Sequence, residues 1–375
     1  MGFEDLPLWA RYRDQFPVTQ NLIHLNHAAV APLSRPAADA MRWLATDCEQ
    51  YGSLHYDQWM KVYDDLREVT AKLIGAEASE IAIVKNTSEG IATIALGLDW
   101  KPGDRVVLFE EEFPANQYPW QRLESKGVVI EWLRADDPLE KLDRVARGAK
   151  LVALSYVQFL TGFRADLLAV GGICKRHGCF FFVDAIQGLG VFPFDVRACH
   201  IDALAADGHK WLLGPEGCGV LYVRQDVQDD IEPVEFGWTN VQNFSDYGSR
   251  TMKLRTDAGR YEPGTLNTVG IYGLEASIRF LLQVGIEQIG AAVFERATQI
   301  YEGVMERGYE VMAERSATTG SGIVCFRKQG FDCRVIHKTL KDKNILTSPR
   351  AGWVRASPHF YVSPDDVALM LENLP

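Results

Sequence analysis

After a short N-terminal stretch, apolar β-branched runs alternate with amphipathic segments, the pattern of βα units wound around a largely parallel sheet. Stretches 81–84, 105–109, 128–132, 151–157, 179–183, 203–206 and 219–223 read as buried strands. Segment 62–74 carries apolar residues at 62, 66, 69 and 73, a spacing that turns one stripe toward a core, and 89–98 and 167–176 read as further helices. Near 236–257 the pattern becomes polar and Gly-containing, and a long apolar-periodic stretch follows at 271–307. A strand at 322–327, a helix near 334–343 and a strand at 353–357 then suggest a small α+β unit. The expectation is an α/β protein with a large, mainly parallel-sheet domain over 20–257, and a small α+β domain built from 258–375 with 1–19 packed on it.

Composition narrows the function. With 47% hydrophobic and 24% charged residues, the 375-residue chain is too apolar to be disordered. Its 39 Lys+Arg against 50 Asp+Glu give a net charge of −11 with no basic block, which argues against nucleic acid or an anionic membrane surface as partner. Any bound anion must be held by local geometry. No uncharged apolar run approaches the ~18 to 20 residues of a membrane helix. The start, Met1-Gly2-Phe3-Glu4-Asp5, is acidic where a signal peptide is basic, so a cytoplasmic location is expected. Seven cysteines without a Cys-x-x-Cys pair indicate reduced thiols, neither a disulfide framework nor a metal site.

Ligands of open parallel sheets bind at the carboxyl ends of the strands. There the sequence places Asp184 after one apolar run and Asp207-Gly208-His209-Lys210-Trp211 after another. A lone carboxylate at such a place caps the next helix, and a lone lysine reaches solvent. Together, a buried carboxylate and an amine are what pyridoxal phosphate demands: the lysine forms the Schiff base, and the carboxylate keeps the pyridine nitrogen protonated so that the ring accepts electrons. Asn86-Thr87-Ser88-Glu89 follows a strand and opens a helix, where backbone N–H groups and two hydroxyls suit a phosphate. The same string reads as a capping box of Asn86 and Glu89, which is compatible with phosphate binding.

At this point a family pattern emerges. The matching strings are His24-Leu25-Asn26-His27-Ala28-Ala29, Asn86-Thr87-Ser88-Glu89-Gly90, Val183-Asp184-Ala185-Ile186-Gln187-Gly188 and Gly208-His209-Lys210-Trp211 with Gly214-Pro215-Glu216-Gly217. Glu262-Pro263-Gly264-Thr265-Leu266-Asn267-Thr268 and Val354-Arg355-Ala356-Ser357-Pro358-His359-Phe360-Tyr361 follow in collinear order. The chain thereby resembles the class V aminotransferase family of fold type I pyridoxal-phosphate enzymes, which includes cysteine desulfurases, selenocysteine lyases and isopenicillin N epimerase-like proteins. The resemblance implies Lys210 as the Schiff-base lysine, Asp184 as partner of the pyridine nitrogen, and Gln187 as donor to the ring's phenolic oxygen. It implies Thr87, Ser88 and His209 as phosphate ligands, and a homodimer in which Thr265 reaches the phosphate of the neighbouring subunit. Arg355 matches the arginine that takes the substrate carboxylate, a bidentate task suited to guanidinium. Asn26 is assigned to the substrate site, and Arg350, Trp353, Tyr156 and Trp238 are pocket candidates by position; a second arginine at 350 suits an acidic or extended polar side chain.

Three departures from the desulfurase pattern stand out. Asp207 replaces a phosphate-binding hydroxyl and is expected to turn away, toward a backbone amide. The loop before Arg355, from Leu346 to Trp353, lacks the catalytic cysteine, so persulfide transfer is not expected. Phe113, in Glu112-Phe113-Pro114-Ala115-Asn116, stands where desulfurases have a histidine over the ring; it offers stacking but no proton, leaving Lys210 as the general base. Dinucleotide-binding, serine-hydrolase and zincin motifs are missing. The expected function is a pyridoxal-phosphate enzyme acting on the α-carbon of an amino acid, with transamination favoured. The alternatives are a β-lyase without a persulfide cysteine, an epimerase, or a cofactor-binding protein without turnover.

Overall fold

The computed structural model describes residues 2–248 and 250–375. Seven strands make the main sheet: β1 (Ile81–Val84), β2 (Arg105–Phe109), β3 (Val129–Leu133), β4 (Leu151–Ser155), β5 (Phe180–Asp184), β6 (Ala203–Asp207) and β7 (Gly219–Val223). Their order is β1-β7-β6-β5-β4-β2-β3, with β7 antiparallel to both neighbours and the other pairs parallel. Both faces of the inner strands are buried, which is why these strands are near-continuous apolar runs. Alternate residues feed two cores: Val107, Val152, Phe181, Val183 and Leu204 on one face, and Val106, Leu151, Phe182, Ala203 and Leu221 on the other.

Helices α1 (Arg35–Tyr51), α2 (Tyr56–Ile74), α3 (Thr87–Gly97) and α4 (Leu167–His177) precede or flank these strands. The sequence anticipates α2 only from residue 62, whereas the helix begins at Tyr56 and already buries Trp59 in its first turn. α3 sits directly on β6 because Gly90 carries no side chain: a Cβ there would stand 2.7 Å from that of Ala205. The apolar stretch 271–307 is two helices, α5 (Thr268–Val284) and α6 (Ile286–Glu306), bent by 84° at Gly285, whose φ is 95°. No single helix among the described residues is long and apolar enough to cross a membrane.

A second, antiparallel sheet has the order β10-β11-β9-β8, from β8 (Glu310–Val311), β9 (Val324–Arg327), β10 (Ser348–Arg350) and β11 (Trp353–Ala356). The N-terminal segment joins this part of the molecule. Ile23–His24 pairs in parallel with Ile345–Leu346, and Asn26 bridges to Ser357. Arg13 meets Asp366 at 2.6 Å, and Phe16 stacks on Tyr361 with centroids 3.7 Å apart. The string His24 to Ala29 is thereby carried across to the end of β11.

Candidate active site

β5 and β6 are parallel neighbours, so Asp184 and the turn after Asp207 emerge at the same edge. The turn folds back on itself: Gly208 N–H donates to the Cys218 carbonyl and Gly214 N–H to that of Gly208, both at 2.9 Å. Lys210 projects from it with Nζ 5.7 Å from the centroid of the Phe113 ring. Burial drives the Lys210 ammonium down to about 8, against the pull of Asp184; Arg355 and Arg350 add to the lowering, while Asp207 opposes it. Burial likewise raises the Asp184 carboxyl to about 6, opposed by the Ile186 N–H at 3.1 Å and by the charge of Lys210. An amine that can lose its proton near neutrality thus shares a site with a buried acid.

At the N-terminus of α3, the Asn86 side chain accepts from the Glu89 N–H at 2.9 Å, while the Glu89 carboxylate reaches back to the Lys85 N–H. The expected box is therefore shifted by one residue on its return arm. Thr87 is buried, and its hydroxyl oxygen accepts from the Asp207 N–H at 3.0 Å, which leaves the hydroxyl proton for a ligand; Ser88 is exposed. Asp207 does not turn to a backbone amide. Its Oδ2 lies 3.1 Å from His209 Nδ1, and its Oδ1 is buried without a partner. The Gln187 amide is oriented from both ends: the Trp211 indole donates to its oxygen at 2.8 Å, and its nitrogen donates to the Ala28 carbonyl at 3.0 Å, leaving one amide proton free. Thr265 is exposed, in a loop bordering a cavity of about 260 Å³ with Lys85 and Glu89.

Arg355 is 2% exposed yet has no carboxylate partner among the described residues. One nitrogen donates to the Phe159 carbonyl at 2.8 Å, and Nε is buried and unpaired. Burial lowers its guanidinium to about 10, with Arg350 adding to the effect. A buried unpaired cation is costly unless an anion completes it. Asn26 Oδ1 is also buried and unpaired. Arg350 is exposed at the end of β10. Two pocket candidates are placed elsewhere: Tyr156 lies in the core against Phe194, and Trp238 packs with Phe244 and Tyr247 in the exposed segment after residue 230.

Several contributors escaped the sequence reading. Glu112 is buried behind Phe113 and accepts from the Ser155 N–H at 2.6 Å, from the Ser155 hydroxyl and from Gln158 Nε2 at 3.0 Å. Burial raises it to about 7, and the charge of Asp184 adds to the rise. Nothing in its local sequence, Glu112-Phe113-Pro114, marks it as buried. Phe159 supplies both the Arg355 carbonyl and a ring edge-on to Phe113 at 5.3 Å. His27 of the N-terminal string is structural: its ring bonds the Ser357 carbonyl at 2.8 Å and the Tyr361 hydroxyl at 2.7 Å, and burial holds it well below its usual range.

The donor set fits pyridoxal phosphate. It offers a buried acid for a pyridine nitrogen, a depressed amine, a half-satisfied amide, a helix N-terminus with a free hydroxyl proton, and His209 beside Asp207. Asp207 is the one discordant group. A surface depression of about 980 Å³ lies at the amino ends of the strands, around Lys150, Phe180 and Asp202, and contains none of these residues.

Residues 23–366 match the sequence profile of the family described as Aminotransferase class-V. A probable cysteine desulfurase of Pyrococcus abyssi (strain GE5 / Orsay) is 31% identical over 383 residues, covering 96% of this chain and 95% of that protein. The uncharacterized aminotransferase YcbU of Bacillus subtilis (strain 168) is 28% identical over 378 residues, covering 99% of this chain and 98% of that protein. The apo structure of a cysteine desulfurase from Thermococcus onnurineus NA1 superposes with a TM-score of 0.89 at 29% identity, over 97% of this chain and 96% of that one. The chain belongs to the class V aminotransferase family of fold type I pyridoxal-phosphate-dependent enzymes.

Proposed function

We propose that this enzyme is a β-lyase that removes a sulfur substituent from an amino acid and releases the sulfur directly, without storing it on a cysteine of its own. The observation that carries the reading is the thiol inventory. The Pyrococcus and Thermococcus relatives are named cysteine desulfurases, yet here the strand opposite Arg355 offers only Cys325, buried and with its thiol pushed up to about 12. A thiol held that high is no nucleophile at neutral pH. Transamination, favoured by the sequence alone, retains one support, the aminotransferase name of the Bacillus relative.

Pyridoxal phosphate, when bound, supplies the electron sink for charge developing at Cα. Arg355 binds the substrate carboxylate with its unpaired Nε edge, and Asn26, bridged to Ser357, belongs to the same substrate site. Lys210, with an amine already lowered toward neutrality, takes the Cα proton onto Nζ. Asp184 would pair as a carboxylate with the protonated pyridine nitrogen. Gln187 would donate its free amide proton to the ring's phenolic oxygen, and Phe113 would stack on the ring. Thr87, Ser88 and His209 would hold the phosphate, joined by Thr265 of a second chain in a homodimer. The Cβ–S bond breaks with its electron pair leaving on sulfur, and after water adds the remainder ends as pyruvate and ammonia.

The test is turnover of cystine and S-alkylcysteines by the cofactor-loaded enzyme. Pyruvate, ammonia and a sulfur product are expected in equal amounts. Accumulation of the sulfur-bearing keto acid with pyridoxamine phosphate would establish transamination instead. Borohydride treatment should fix the cofactor on Lys210, and Lys210→Ala should abolish that labelling.

A further inference from the structure

β10 and β11 form a hairpin closed by Ala351 and Gly352, whose φ values of 47° and 84° are both left-handed, as a tight two-residue turn requires. The register pairs Ser348 with Arg355 and Arg350 with Trp353. Directly opposed residues of an antiparallel pair project to the same face, so Arg350 and Arg355 stand as diagonal neighbours on one face, about 7 to 8 Å apart by backbone geometry. Trp353 between them is pinned by Arg327, which lies 4.3 Å from its ring centroid and is itself paired with Glu310 at 2.7 Å. Arg327 and Glu310 stand on the neighbouring strands β9 and β8, so Trp353 is held from the side.

Neither Arg350 nor Arg355 has an acid partner among the described residues, although the chain has 50 acidic residues against 39 basic ones. Both arginines lower the Lys210 ammonium, which places them electrostatically within one site. Two like charges on one sheet face repel. Of the acids around this face, Asp184 and Asp207 act on Lys210, and Glu310 is taken up by Arg327. One substrate carboxylate satisfies Arg355 and leaves Arg350 without an anion.

We infer that Arg350 is a specificity residue that receives a second anion, a carboxylate or sulfur oxyanion at the far end of the substrate's β-substituent, while Arg355 takes the α-carboxylate. Placing that anion on the leaving group rests on the lyase reading. The preference for two anions does not, because it follows from the paired arginines alone.

The first experiment measures binding to the cofactor-loaded enzyme without turnover, using butyrate against succinate, glutarate and adipate. At least one dicarboxylate should bind roughly tenfold or more tightly than butyrate, as a charge-assisted contact implies. Arg350→Ala should reduce that preference to within about threefold, and Arg350→Lys should recover part of it. Arg355→Ala should weaken mono- and dicarboxylates alike. No dicarboxylate preference in the wild type, or equal weakening of both classes by Arg350→Ala, would overturn the inference. Thermal unfolding of the Arg350 variants, altered at an exposed hairpin end, checks that they are folded. The second experiment compares pyruvate formation from S-carboxymethylcysteine and S-methylcysteine. A dicarboxylate preference without pyruvate from either compound rejects the lyase reading and leaves the two-anion site standing. Pyruvate from both at equal kcat/KM in wild type and Arg350→Ala rejects the two-anion site and leaves the lyase.

Discussion

Glu112 and Asp184 are two buried carboxyls in one site, and each titrates above its ordinary range, at about 7 and about 6. An acid whose folded pKa exceeds its unfolded value binds its proton more tightly when folded. The stability it contributes is fully present below its ordinary value of 4.5 and is lost as pH rises through about 7. Glu112→Gln imitates the protonated form, since an amide nitrogen in place of Oε2 donates to the Ser155 hydroxyl while Oε1 keeps its two donors. Between pH 5 and pH 8.5 the cofactor-free wild type should therefore lose stability relative to Glu112→Gln by about 2 to 3 kcal/mol, read from urea unfolding. Parallel pH dependence of the two proteins would remove Glu112 from the titrating set. At this scale the sequence marked the residues whose chemistry is unusual for their position, Lys210 and Asp184 at strand ends. It passed over Glu112, whose behaviour comes from burial beside another acid.

The N-terminus of α3 reaches the site because the helix lies against β6 with no side chain between them at Gly90. A methyl there would stand 2.7 Å from Ala205 Cβ, closer than packed carbons approach. Gly90→Ala should lower stability by about 1 to 3 kcal/mol through overpacking. It should also weaken pyridoxal phosphate binding, because Thr87 and Ser88 move with the helix. Thermal unfolding and a cofactor titration measure the two effects. Ala205→Gly in the same protein should recover both, and failure to recover either would mean that this contact does not set the helix position. The periodicity of the chain located the strands of the main sheet to within about two residues. The break at Gly285 and the shifted return arm of the α3 cap were not legible, since each depends on the path of the backbone in three dimensions.

For the whole molecule, Thr265 stands exposed in a loop, and the proposed homodimer gives it a role at the neighbouring phosphate. Sedimentation should then report about twice the chain mass of 42.0 kDa. Inactive Lys210→Ala subunits reassorted with Thr265→Ala subunits should regain intact sites, since one site of each mixed dimer draws Lys210 from one chain and Thr265 from the other. Statistical reassortment of equal amounts gives about a quarter of the wild-type site number. Activity no higher than that of the Thr265→Ala protein alone would show that each chain completes its own site.

What the sequence by itself determined was the class of fold and the kind of chemistry. Buried parallel strands must be continuous apolar runs, and a cofactor that needs an amine, an acid and an anion cradle leaves those residue types at strand ends and a helix start. What only the tertiary structure decided was which of these groups are left without partners. It left Arg355 and Arg350 on one hairpin face without an acid, spent Tyr156 on the core, and kept the Asp207 carboxylate beside His209. Burial, cross-strand register and the sharing of hydrogen bonds are properties of residues far apart in the chain, and they exist only once the sheets and the N-terminal segment have come together.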